Sequence, residues 1–226
     1  MIELYTDATP NGWKVSVLLE ELEMEYETHH VDIMSGQQKE EWFQKISPNG
    51  RIPAIIDKQN ENLSLFESGA IMLYLSRKKG SLLPTDPAGE ARVTQWLMFQ
   101  MAGVGPMMGQ SNIFYRYFPE KIPSVIERYQ NECRRLFEVL DRQLENRQFL
   151  CDDYSIADIA NWCWIRIHFW GGTSIEGLNN LKRWMERLES RSACQRGVKV
   201  PHEIDFDAVE DDLKSENSAV RNLVTQ

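Results

Sequence analysis

Ile2-Glu3-Leu4-Tyr5-Thr6-Asp7-Ala8-Thr9-Pro10-Asn11-Gly12-Trp13-Lys14 begins as an alternating apolar run and passes directly into a helical period. Val15, Leu18, Leu19 and Leu22 recur at i, i+3, i+4 and i+7, which is one face of a helix over about residues 12–23. Residues 2–5 are therefore expected as a first strand, and residues 9–14 as the turn into a first helix. The N-terminus of a helix presents unpaired backbone N–H groups, so such a turn favours an anionic ligand. This one offers a hydroxyl, Thr9, and an amide, Asn11, but no cysteine.

Outward from that turn, residues 26–33 read as a second strand and the polar stretch 38–45 as a helix. Residues 53–57 and 62–66 read as two short strands joined by a polar turn, and residues 67–75 as a further helix. A parallel strand pair needs a crossover and a hairpin does not, so the order βαβ, α, ββα makes a small mixed sheet with helices on both faces. That architecture is thioredoxin-like and is expected over residues 1–79.

Residues 80–89, with Pro84 and Pro87, break the pattern as a linker. From 90 to 200 the periods are helical. Val93, Trp96, Leu97, Met101 and Val104 share a face, as do Ile156, Ala160, Cys163, Trp164 and Ile167. An all-α bundle is expected there, with Ser155-Ile156-Ala157-Asp158 as a capping box at the start of a buried helix. The fold class is thus α/β followed by all-α.

With 226 residues, 42% hydrophobic composition and seven tryptophans, the chain can bury a sizeable core. No apolar run approaches the roughly 20 residues of a membrane span, and there is no basic leader, so cytoplasmic residence without a membrane partner is expected. The net charge of -9 argues against a nucleic-acid partner. Most of that charge lies in residues 201–226, where seven acids face Lys214 and Arg221; this tail lacks a sustained apolar face and is expected to be loosely attached or disordered. Cys133, Cys151, Cys163 and Cys194 are too widely spaced for a zinc or disulfide framework. His29 and His30 point to opposite faces of a strand, so no metal site is expected.

In this architecture the ligand crevice lies beyond the strand ends. Three stretches converge on it. The first is the 9–14 turn. The second is Ser47-Pro48-Asn49-Gly50-Arg51-Ile52-Pro53, where a proline opening a strand suits a cis peptide in a tight turn. The third is Glu67-Ser68, where a hydroxyl, free backbone amides and a carboxylate meet at a helix start.

On these residues the sequence resembles the glutathione transferase superfamily. The matching features are the α/β half, Arg51-Ile52-Pro53-Ala54, Glu67-Ser68-Gly69-Ala70-Ile71, the linker, the helical half and Tyr154-Ser155-Ile156-Ala157-Asp158, over residues 1–195. Thr9-Pro10-Asn11-Gly12, Ile46-Ser47-Pro48-Asn49 and Gly105-Pro106-Met107-Met108-Gly109-Gln110 are similar to the bacterial nu class and its Ure2-like relatives. The resemblance implies a glutathione-dependent disulfide-bond oxidoreductase, working as a homodimer on a small disulfide or electrophile. Conjugation to electrophiles, weak peroxidase activity and a non-catalytic binding module are the competing readings.

The resemblance also implies roles for individual residues. If glutathione brings the thiol, the turn needs no cysteine and only has to stabilise a thiolate, by Thr9 Oγ and Asn11. Both residue types equally suit helix capping. Ser68 would hold the γ-glutamyl carboxylate, Glu67 the α-ammonium, and Ile52, before Pro53, would pair its backbone with the cysteinyl unit. Gln38 would bond the glycine end, Arg51 would attract its carboxylate or stay solvated, and either Arg135 or its neighbour Arg134 would reach the pocket. Tyr5 is the less favoured thiolate ligand. Met101 is expected in the core, while Met107 and Met108 suit either core or a second-substrate surface.

Overall fold

The structure is a computed structural model and describes residues 1–214. Strand β1 (Ile2–Thr6) is followed by α1 (Pro10–Glu21), β2 (Tyr26–His30), a short α2 (Glu41–Gln44), β3 (Ala54–Asp57), β4 (Leu63–Phe66) and α3 (Ser68–Lys79). The sheet order is β2-β1-β3-β4. β1 runs parallel to β2, with Leu4 opposite Thr28, and antiparallel to β3, with Leu4 opposite Ile55. The helix α1 is the crossover that the parallel pair requires.

The elements match the expected order, with local shifts that have local causes. α1 starts at Pro10, because Thr9 caps it and proline suits the first helical position. The polar stretch 38–45 divides into a 3-10 turn, Gln37–Lys39, and α2. α3 extends to Lys79, where Gly80 at φ 72° ends it.

Beyond Gly80, Asp86 caps α4 (Pro87–Phe99), accepting 2.8 Å from the Gly89 amide. One wide π-helical turn, Gln100–Val104, joins α4 to α5 (Gly105–Asn112), and a second, Ile113–Tyr117, follows it. Then come α6 (Pro123–Gln143), α7 (Ile156–Ile165), α8 (Asn179–Glu189) and α9 (Ser192–Gly197). Every residue of α7 is buried. The capping box forms as read: Asp158 Oδ2 accepts from the Ser155 amide at 3.1 Å, and Oδ1 accepts from Trp184 Nε1 at 2.9 Å.

α1 is buried on both sides. Val15, Leu18 and Leu19 are fully enclosed, and so are Trp13 and Val17 on the remaining surface, because α1 packs against α3, α7 and α9. Ser16 Oγ donates to the Gly197 carbonyl at 2.7 Å. A Cβ on Gly197 would sit 2.6 Å from the Val17 backbone nitrogen, so only glycine permits this approach.

The acidic segment departs from expectation. Residues 206–214 form α10 (Phe206–Lys214), with Leu213 buried and the Phe206 ring 5.1 Å from that of Trp170. Arg116 pairs with Glu210 at 3.2 Å. Phe206, Val209 and Leu213 supply a sparse apolar stripe that the surrounding acids obscure in the sequence. The expected loose attachment therefore fails for residues 206–214, and for 215–226 it falls outside the described residues. Among the described residues no helix is long and apolar enough to cross a membrane.

Candidate active site

A crevice of about 650 Å³ opens between the sheet's end and the helical half. Asn11, Lys14, Arg51, Ile52, Glu67 and Ser68 line one wall. Gln100, Met101, Met107, Gln110, Tyr129 and Trp164 line the other.

Asn11 is the second residue of α1, and its Oδ1 accepts a 2.9 Å hydrogen bond from Trp164 Nε1. Thr9 is the N-cap: its Oγ1 accepts from the Gly12 amide at 3.2 Å and keeps its own proton to donate. It borders the turn without lining the crevice.

Ser68 is the first residue of α3 and is buried, while Glu67 before it is exposed and sits at φ 67°, ψ 108°. A left-handed backbone at a non-glycine residue costs energy, and such strain concentrates at functional positions. The Ile52–Pro53 bond is cis, as the sequence suggested. Ser47 Oγ donates to the Arg51 carbonyl at 2.9 Å and fixes the loop that presents Arg51 and Ile52.

Two expected ligands lie elsewhere. Gln38 is buried outside the crevice, its carbonyl against Gly50, and its Oε1 has no partner. Arg135 points away, in a bidentate pair with Glu132 at 2.7 and 2.8 Å. Arg134 is no substitute: it bonds Glu138 and the carbonyls of Ser174 and Glu176. Tyr129 takes the lining position on α6. Six residues further along a helix lies about 240° around its axis, which turns Arg135 outward.

Tyr5 is also outside. It stacks on His29 with ring centroids 4.6 Å apart and donates to Glu3, and burial pushes its hydroxyl pKa up to about 12. Met101, expected in the core, instead faces the crevice, whereas Met108 is core and Met107 lines the cleft.

The sequence reading missed Lys14. It is 1% exposed, and its Nζ lies 3.3 Å from Ser68 Oγ and 3.4 Å from Met101 Sδ. Burial pulls its pKa down to about 7. The available signal was its spacing of i+3 from Asn11, which puts both on one side of α1. Gln100 was missed too: fully buried at the crevice, it has no partner at either end of its amide.

No cysteine lines the crevice. All four thiols are free, and burial raises each pKa, Cys151 to about 11 and Cys133 and Cys194 to about 12. A reactive thiolate at this site has to arrive with a ligand.

Other features are already committed. A depression of about 710 Å³ by α3 exposes Tyr74 and Lys78, but both are bound to the buried Asp57. His29 and His30 fall in separate groups of potential metal ligands, His30 with Asp7 and His202, and His29 with Glu3 and Glu27. The Asp7 carboxylate is used by the amides of Ala8 and Ile33 at 2.7 and 3.2 Å.

These features define a class: a two-part protein in which a thioredoxin-like unit and a helical unit share one crevice, with a polar, cysteine-free turn at the start of α1. Residues 2–77 match the glutathione S-transferase N-terminal domain and residues 98–192 the C-terminal domain. The chain belongs to the glutathione S-transferase family. It is 45% identical over 203 residues to the disulfide-bond oxidoreductase YfcG of Escherichia coli, covering 88% of this chain and 94% of that one. A glutathione transferase from Pseudomonas putida, solved with one glutathione disulfide bound per subunit, superposes with a TM-score of 0.85 at 40% identity, covering 88% and 91% of the two chains. One from Burkholderia graminis, with two glutathione molecules bound per subunit, gives 0.85 at 41% identity and 88% of each chain.

Proposed function

We propose that the protein is a glutathione-dependent disulfide-bond oxidoreductase of the nu type, acting in the cytoplasm as a homodimer. The observation that carries this reading is the Asn11 amide, presented at a helix N-terminus in a crevice that contains no thiol of its own. Bound glutathione supplies the sulfur, and the Asn11 amide and the N-terminus of α1, which Thr9 caps at the crevice's edge, favour its thiolate.

The reaction balances with two glutathione molecules. The first thiolate attacks one sulfur of a substrate disulfide, forms a mixed disulfide and expels the other sulfur as a thiolate that takes up a proton. A second glutathione thiolate then attacks the glutathione sulfur of that mixed disulfide, releasing glutathione disulfide and the second substrate thiol. Ser68 and Glu67 hold the γ-glutamyl end, Ile52 pairs with the cysteinyl unit, and Arg51 attracts the glycyl carboxylate. The opposite wall, with Met107, Gln110 and Tyr129, takes the second molecule. Binding of glutathione or its disulfide by similar proteins supports that assignment.

The test is glutathione-dependent reduction of a small model disulfide, coupled to NADPH consumption by glutathione reductase, for the parent protein and Asn11→Ala. Turnover that falls at least about tenfold in the variant is expected. An inactive parent that still binds glutathione would transfer the reading to conjugation with electrophiles.

A further inference from the structure

Lys14 places a cation in the crevice without a counter-ion. Among the described residues no carboxylate pairs with it, and its two polar neighbours are the Ser68 hydroxyl and the Met101 thioether. A hydroxyl and a sulfur do not compensate a buried ammonium, so the amine loses its proton readily until an anion arrives. The surroundings on every side are defined. α3 presents Ser68, and the Glu67 carboxylate just before it lies beyond ion-pair distance; α7 presents the fully buried Cys163. The π-helical turn presents Met101 and the neutral Gln100, and Arg51 is the other cation of the lining.

We propose that Lys14 is the cationic half of a carboxylate subsite, and that the γ-glutamyl carboxylate of glutathione docks against Ser68 together with uptake of one proton by Lys14. This rests on the reading that glutathione occupies the crevice. The direction follows from the geometry: Ser68 Oγ accepts from Nζ, so a carboxylate held at Ser68 lies beside the ammonium. Burial leaves Lys14 with a pKa of about 7 in the free protein, and an adjacent carboxylate restores the charged form. Affinity then weakens as pH rises above about 7, because the ligand binds the protonated protein.

Calorimetry with S-methylglutathione, which has no ionisable thiol, isolates this proton from that of the sulfur. Titrations at about pH 8 in buffers of different ionisation heat should show uptake approaching one proton per site. Lys14→Met should bind without proton uptake and about tenfold more weakly. Lys14→Arg, which holds its charge throughout, should bind with no uptake and keep more of the affinity. Parent protein that binds with no proton exchange, or a Lys14→Met variant whose uptake equals the parent's, would overturn the proposal while leaving the oxidoreductase reading intact. If S-methylglutathione does not bind the parent at all, the glutathione reading fails and this inference fails with it.

Discussion

Trp164 Nε1 donates to Asn11 Oδ1 across 2.9 Å, joining residues 153 positions apart in sequence. An indole nitrogen only donates, so the amide oxygen of Asn11 has to face it, and the Nδ2 end is left for the crevice. The helical half thereby sets which end of the amide faces the crevice.

Trp164→Phe removes that donor and lets the amide flip. Disulfide reduction should fall by about tenfold, at a stability cost of only about 1 kcal/mol for the lost bond. The specific readout is the thiolate absorbance of bound glutathione, whose titration should move to higher pH. An unchanged thiol titration would show that Trp164 merely fills space.

Asp158 makes a different prediction. Burial raises its pKa to about 6, against 3.8 for the free carboxyl. Between those values the folded state holds the proton more firmly than the unfolded chain, so the contribution is present at low pH and is lost as pH rises through about 6. Asp158→Asn removes this titration. The stability gap between parent and variant should shrink by up to about 3 kcal/mol from pH 4 to 7, followed by urea unfolding at each pH. A gap that stays constant across that range would mean the carboxylate is ionised in both states.

Gly197→Ala tests the packing behind the site. The new methyl meets the Val17 backbone at 2.5 to 2.6 Å, and no side-chain rotation relieves it. A loss of about 3 kcal/mol in unfolding free energy is expected. A loss below about 0.5 kcal/mol would show that α9 can shift away from α1 at little cost.

Much of the fold was legible because its signals are local. Alternation marks β1, the i, i+3, i+4 spacing marks α1 and α7, and Ser155 with Asp158 marks a helix start. The convergence of the α/β wall was legible for the same reason: Asn11, Ile52 and Ser68 sit at or beside element ends that the local pattern marks, and all three line the crevice. The helical wall was not. Which side chains of residues 100–117 face the cleft depends on two π-helical turns, each of which shifts the helical phase, and no residue type announces them. Lys14 was hidden because a lysine in a helix reads as solvated, and its burial comes from elements more than fifty residues away. Arg135 lay in a matching segment but on the wrong side of α6.

The double-sided burial of α1 has a mechanical consequence. The helix whose first turn opens onto the crevice is packed against α3, α7 and α9 at once, so it cannot tilt without opening several interfaces. The facing wall has looser backbone support, since Met107 and Tyr129 stand next to two π-helical turns. On the function proposed above, catalytic power and substrate range then fall on opposite sides of one cleft, and selection could broaden the second without disturbing the first.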